Sequence, residues 1–472
     1  MRKAWVVLMA VFLVVAFALP AKAEIAFSGT SRVIPTYYSN FDFDDSAGDF
    51  AALNEGGFTS GEHVRGELRL GWNASGEKWK ISMIAETDVI FDKNNGDRSF
   101  YTGAQDAAGN PNAGGEFGIE RVELVYTFAP SLELSTGWPI TSADIGSGGL
   151  LYGDDHPMIQ LRGRPTDNLK YELTYLAIQN LDNRVLVDSP LTNDWRAYIL
   201  KVSPTFGVGA AKLTASPILL YSDNRQRNAS VRYYGAELVG QIGMFKPYAE
   251  FIYADGKFRN TSRDIKSYAA FAGLEAAVSK VFNPYVAFRY TKGDDDSSDN
   301  DVEGFVGITD IGRFTPLLGM DGNILGEHLV APAGAVSYQS PLYSFSPDRA
   351  VGGNLYGGIG NGSSGNNPGQ KLVALGSKGE ITTALSYKTQ VFLIWYDKVG
   401  NLPVGAGKSV TSVDKYAGTT FDLQLKYGFS KNFSATYIFS GFFPGDGIKD
   451  QLPATADDTF ASLHTLQLAW VY

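Results

Sequence analysis

Residues 460–472 read FASLHTLQLAWVY, and their spacing decides the fold. Counting back from Tyr472, every second residue is apolar or aromatic: Trp470, Leu468 and Leu466, with His464 beyond. A β-strand turns successive side chains to opposite faces, so this alternation puts one face in an apolar medium and the other in water. Closing on an aromatic, it is the pattern of the last strand of an outer-membrane β-barrel. A strand of a soluble sheet alternates in the same way, so the remainder of the chain has to decide.

The N-terminus points to export. Arg2 and Lys3 precede an uninterrupted apolar run over residues 4–19, and Ala21-Lys22-Ala23 is a small-residue cleavage site, giving a leader over 1–23 and a mature start at Glu24. As a membrane anchor the run is short, since a spanning helix needs roughly 20 residues. Cysteine is absent from the chain, which excludes lipid attachment after the cleavage site, disulfides, c-type haem and Fe–S ligation. The formal charge is −10, and loss of Arg2, Lys3 and Lys22 takes it to −13. An acidic export product without a basic cluster is a poor nucleic-acid binder.

The body repeats one unit of amphipathic strand, short turn, amphipathic strand and long polar loop. Val64, Gly66, Leu68, Leu70 and Trp72 share one face, and His63, Arg65, Glu67 and Arg69 the other. Trp79, Ile81, Met83 and Ala85 then alternate with Lys80, Ser82 and Glu86. The rhythm recurs at Val122-Leu124-Tyr126-Phe128, at Leu169-Tyr171-Leu173-Tyr175 and at Phe433-Ala435-Tyr437-Phe439. Turns carry Gly, Pro, Asn or Ser, the residues that tight turns favour. Apolar outward faces and charged inward faces reverse the order of a water-soluble sandwich. The expected fold is therefore all-β, a transmembrane antiparallel up-and-down barrel over residues 24–472 with about eighteen strands. Residues 293–370 form a long extracellular loop or insertion, in which 305–314 reads as a possible extra strand, so sixteen to twenty strands stay open.

The leader, the Leu466-x-Leu468-x-Trp470-x-Tyr472 ending and the aromatic hairpins resemble a Gram-negative porin. The segment Phe442-Phe443-Pro444-Gly445-Asp446-Gly447, followed by Asp457-Asp458, is similar to the end of alginate-export-type barrels. Those are eighteen-stranded, and the resemblance implies passage of a hydrophilic solute or a polysaccharide.

Function in such a barrel rests on the water-facing side chains. The faces above make Arg65, Arg69, Lys80, Arg121, Arg162, Arg164, Lys170, Lys246, Arg289 and Lys426 lumenal. They also make Glu67, Glu86, Asp88, Glu123, Glu133, Glu172, Glu250, Glu275 and Asp422 lumenal. This near balance disfavours a dedicated polyanion exporter. Arg65, Arg69, Arg121, Arg162 and Arg164 make one arc of wall. The loop over 141–157 carries Asp144, Asp154 and Asp155; folded inward, it opposes acids to the arc and makes an eyelet with a transverse field. The alternative is that these acids hydrate an external loop while the arginines pair with acids across strands.

The function expected is a porin for passive diffusion of small hydrophilic solutes and ions, with mild cation preference from its acidic loops. A polysaccharide-export barrel and a sheath around an electron-carrying or other partner protein are the alternatives. Asp154-Asp155-His156 offers an acid and a base, but no serine motif accompanies it, and no enzyme activity is expected. Asp294-Asp295-Asp296 with Asp299 and Asp301 lacks the glycine and glutamate of an EF-type calcium loop. The glycine-rich stretch 357–362 lacks the helix and lysine of a phosphate loop. No cofactor or metal is expected. The expected partners are outer-membrane lipid, lipopolysaccharide, the barrel-assembly machinery acting on the C-terminal strand, and further copies of the chain in a homotrimer.

Overall fold

The computed structural model describes residues 24–40, 61–90, 117–179, 194–308 (apart from 210, 226–227, 295 and 297–298), 314–320, 368–455 (apart from 401 and 403) and 460–472. Eighteen strands form the wall. The first six are β1 (Glu24–Ser39), β2 (Gly61–Ser75), β3 (Trp79–Ile90), β4 (Phe117–Ala129), β5 (Leu132–Gly137) and β6 (Met158–Thr166). Next come β7 (Leu169–Gln179), β8 (Trp195–Val208), β9 (Ala211–Asn224), β10 (Ala229–Ile242), β11 (Phe245–Phe258) and β12 (Asp264–Ala276). The last six are β13 (Asn283–Thr291), β14 (Gln370–Glu380), β15 (Leu385–Tyr396), β16 (Tyr416–Gly428), β17 (Phe433–Pro444) and β18 (Ala461–Val471).

Each strand pairs antiparallel with the next, and β1 pairs with β18 through Thr30↔Val471 to Ser39↔Ser462, which closes the sheet into a ring. Closure leaves no edge strand with unpaired backbone groups, the condition for a sheet to sit in hydrocarbon. The seam runs to the last residue: the Gly29 and Tyr472 amides each donate to the other's carbonyl, at 2.9 and 3.0 Å. The Tyr472 ring lies over Gly29, where a Cβ would stand 2.2 Å from it, so a larger residue at 29 would displace the ring.

Leu68, Leu70, Leu161, Leu173, Leu200, Leu219 and Leu274 point outward and are exposed, forming an apolar belt. Near the loop end the belt meets a tyrosine ladder, with ring centroids 5.4 Å apart for Tyr175–Tyr198 and 5.5 Å for Tyr268–Tyr290. At the turn end Phe433 stacks on Trp470 at 4.7 Å. Such aromatic bands mark the two interfaces of a membrane-spanning barrel.

The inward faces are not charged all round. On β7 to β12 they are largely apolar, with Leu176, Ile199, Ile218, Tyr233, Ile252, Ile265 and Phe271 buried. Two loop segments fold into the bore and cover them. One is the 138–157 loop, whose Leu150, Leu151 and Tyr152 are buried; the other comprises 305–308 and 314–320, with Phe305, Ile308, Leu317 and Leu318 buried. They meet where the Ile308 amide donates to the Leu151 carbonyl at 2.7 Å. Wall side chains hold the second segment: Tyr233 donates to Val306 O at 3.1 Å, Lys378 to Pro316 O at 3.3 Å, and Lys388 to Gly319 O. The expected extra strand is not formed in the described part of 305–314; just before it, Asp301–Val302 lies parallel against Asp264–Ile265. The leader, the 357–362 stretch and residues 309–313 lie outside the described residues.

Candidate functional site in the bore

The densest charged part of the inner wall lies on β1 to β6, with fewer charges elsewhere, such as the Lys246–Glu275–Lys378 pairing at 3.1 and 2.8 Å. Register places opposite charges directly across from one another: Arg32 faces Glu67, Arg69 faces Glu86, and Glu133 faces Arg162. Cross-strand neighbours on one face lie close enough to interact directly. Glu67 is buried between two guanidinium groups, bonded by Arg32 and lying 3.0 Å from Arg69 Nε. Arg69 also bonds Glu86, and Arg162 bridges Glu133 at 2.5 Å and Glu123 at 3.1 Å. Ser135 donates to the second acid of that pair, Glu123, at 2.8 Å.

Arg121 is held differently. On β4 the register shifts where Ile84 faces Arg121 but Ala85 faces Ile119, leaving Glu120 as an extra residue. A β-bulge re-aims side chains, and here it turns Glu120 and Arg121 to the same side. Arg121 stands 3.5 Å from Glu120 and 3.8 Å from Asp155 on the inward loop. Its Nε is buried without a hydrogen-bond partner. Arg121 and Asp155 are thus the two sides of a narrow contact between wall and loop.

The loop carries the arc's counter-charge on its returning limb. Thr141–Ser142 and Gly153–Asp154 pair as a short ladder, which sets Asp154 and Asp155 beside the arc. Burial, reinforced by the neighbouring Asp154 carboxylate, pushes Asp155 up to about 6, and Arg121 opposes that rise. Burial pushes His156 below its ordinary value, partly offset by Asp154 at 3.7 Å. Its other described partner is the Tyr152 hydroxyl at 3.4 Å, so the Asp154–Asp155–His156 grouping here is a loop contact.

Asp144 does not face the arginines. It is fully buried and accepts from the amides of Leu151 at 2.5 Å and Tyr152 at 3.1 Å, closing the loop on itself. A loop of alternating glycines and small residues leaves these amides otherwise unsatisfied, and a buried carboxylate is the acceptor that meets them. Arg164 lies toward the turn end of β6 and forms no ion pair among the described residues, and the side chain of Arg65 is outside the described part. Of the expected arc, Arg69, Arg121, Arg162, Glu67, Glu123, Asp154 and Asp155 come together. Arg32 and Glu120 join them, with no signal in simple alternation for the bulged Glu120. Lys201 and Glu237, paired at 2.8 Å on β8 and β10, lie across the bore under the loop. Asp294 accepts from the Asp296 and Glu303 amides at 3.1 and 2.8 Å, capping its own loop.

The chain matches no protein-family model and no curated protein. Solved structures do match. OccAB2 of Acinetobacter baumannii superposes with a TM-score of 0.54 at 12% identity, over 95% of this chain and 98% of that one. OccK2 (OpdF) of Pseudomonas aeruginosa, in complex with glucuronate, gives 0.50 at 11% identity over 95% and 96%. A BenF-like porin from Pseudomonas fluorescens Pf-5 gives 0.50 at 10% identity over 95% and 98%. The likeness is one of fold, the closed eighteen-strand barrel of outer-membrane porins. The resemblance to alginate-export-type barrels finds no support among these structures.

Proposed function

We propose that the chain is an outer-membrane porin for the passive diffusion of small hydrophilic solutes and ions, with the path running along the charged arc of β1 to β6. The observation that carries this reading is the division of the bore. Largely apolar loop segments pack against much of the side of β7 to β15, while the arc's Arg32, Arg69, Arg121 and Arg162 keep 18 to 34% of their side-chain surface open to solvent. A hydrated strip of paired charges beside a dry packing layer is a selective aqueous path. Both signs line it, which suits solutes carrying both charge and hydroxyl groups; the glucuronate of the OccK2 structure is of that chemistry. Export through the 1–23 leader, assembly through β18, and an outer leaflet of lipopolysaccharide around the tyrosine ladder complete the proposal.

The test is reconstitution in planar bilayers and liposomes. Discrete single-channel steps and swelling in small sugars and sugar acids, but not in long polysaccharide, are expected. A protein that inserts yet conducts no ions and passes no solute refutes the reading.

A further inference from the structure

The outward face of the wall carries charges of its own at the loop end. On β10 and β11 Val231, Tyr233 and Ala254 face inward and are buried, so Arg232, Tyr234, Tyr253, Asp255 and Lys257 face outward. Register sets these side chains in rows across β9 to β12. Tyr221, Arg232, Asp255 and Lys266 form one row, and Asp223, Ser230, Lys257 and Asp264 the next row toward the loops. On the other side lies the row Tyr234, Tyr253 and Tyr268. Tyrosines take the level of the membrane–water interface, so the charged rows above them lie among the headgroups of the outer leaflet.

The cations at this level are unevenly matched. Arg196 has Asp194, Lys292 has Glu303 at 2.6 Å, Lys371 has Asp397 at 2.8 Å, and Lys266 lies between Asp264 at 3.6 Å and Asp301 at 3.5 Å. Around β9 to β11 the bases are in excess. Arg225 stands 3.4 Å from Asp223, which Arg259 also bonds; Arg232 is 3.9 Å from Asp255; and Lys257 is exposed and forms no ion pair among the described residues. Arg225, Arg232 and Arg259 keep 46, 64 and 34% of their side-chain surface exposed. Exposed pairs of this kind hold their partners weakly, and guanidinium groups bind phosphate oxygens in a fork. The rim is also open here. Residues 225–228 and 259–263 are short hairpins, whereas longer segments connect the other strands at this end.

We infer that this rim binds a phosphate group of an outer-leaflet glycolipid, lipopolysaccharide, among Arg225, Arg232, Lys257 and Arg259. Four cations around Asp223 and Asp255 leave two positive charges, which match a phosphate monoester carrying roughly two negative charges at neutral pH. Ser230, between Asp223 and Lys257 in its row, adds a hydroxyl donor. The inference deepens the lipopolysaccharide contact proposed above, and it uses no side chain of the bore.

The probe is diphosphoryl lipid A, titrated against the full chain in neutral detergent with EDTA at low salt, so that direct contacts are read without divalent bridges. Dephosphorylated lipid A is the reference, and native mass spectrometry reads bound lipid. The parent should prefer the diphosphoryl form about tenfold, and Arg232→Gln with Lys257→Gln should bring the two lipids within about twofold. Arg196→Gln with Lys371→Gln, taken from matched pairs at the same level, should keep the preference. No preference in the parent, its survival without Arg232 and Lys257, or its equal loss in the second variant each overturns the site. So does a parent that takes up no lipid but self-associates until those two charges are removed. Single-channel conductance of the Arg232→Gln, Lys257→Gln protein should equal the parent's, and a changed conductance would place these side chains in the bore and overturn the assignment. Lipid uptake and conduction are separate readings, so a failure of the lipid site leaves the solute path standing.

Discussion

Removing the guanidinium of Arg121 is the sharpest probe of the charged arc. Its nearest acids are Glu120 at 3.5 Å and Asp155 at 3.8 Å, so Arg121→Ala leaves one uncompensated negative charge at the contact between wall and loop. An ion passing at about 7 Å from that charge in water feels roughly 0.6 kcal/mol, falling to about 0.3 kcal/mol at 0.1 M salt. The same energy favours a cation and disfavours an anion. The cation-to-anion permeability ratio should therefore rise roughly three- to sevenfold in dilute KCl and return toward the parent value near 1 M. Asp155→Asn should move the ratio the other way, and the double variant should lie between. Reversal potentials in a tenfold KCl gradient measure this directly. Unchanged potentials in both single variants would remove the Arg121–Asp155 contact from the conduction path.

Three further outcomes follow from the same geometry. Asp155 is held up to about 6, so it is neutral below that value and charged above it; cation preference should fall as pH drops through 6, and the same titration with Asp155→Asn should be flat over that interval. Glu67→Ala leaves Arg32 and Arg69 without their shared buried acceptor and should cost about 1–3 kcal/mol, read as an earlier urea midpoint for loss of the heat-modifiable band on gels; a shift below about 0.5 kcal/mol refutes the role. Leu173→Arg puts a charge on the outward belt and should cost about 2–4 kcal/mol near the bilayer midplane. Its folding yield into liposomes should drop sharply, and a parent-like yield would place Leu173 away from lipid.

The strand plan was legible because lipid on one side and water on the other impose period 2 on almost every segment. Eighteen strands read from alternation correspond to the eighteen in the wall, and the errors fall at their ends. Residues 381–384 form a turn without Gly, Pro or Asn, stabilised when Thr382 Oγ1 accepts from the Ala384 and Leu385 amides at 3.2 and 3.0 Å. Without glycine or proline to mark it, alternation runs the strand on to about residue 386, past this turn. Conversely, Pro204 lies within β8, where proline reads as a break; the turn that follows is at Gly209, with φ of 60°. The arc was half legible. Arg69, Arg162, Glu67 and Glu123 follow from parity, whereas the extra residue in β4 inverts parity at Glu120.

The larger misreading concerns the inner wall. Alternation identifies the lipid face by its apolar residues, and on β7 to β12 most inward positions are apolar as well, so the pattern itself does not say that this face is covered by protein. A separate signal existed in the loops. Leu150-Leu151-Tyr152, Phe305-Val306 and Leu317-Leu318 are apolar runs in segments that otherwise read as water-exposed, and loops exposed to water gain nothing from them. Matching these runs to the apolar inner faces predicts that the loops fold inward and where they settle. Covering Glu67, Arg69 and Arg162 with carbon would strip water from several paired charges at a cost of several kcal/mol per ion. The fewer charges under the loop are met instead by its polar groups, with Ser147 Oγ and the Gly148 amide donating to Glu250 and Lys201 donating to the Ala143 carbonyl. The wall sequence therefore assigns the dry side and the wet side of the bore, and the position of the path follows from where the charges are.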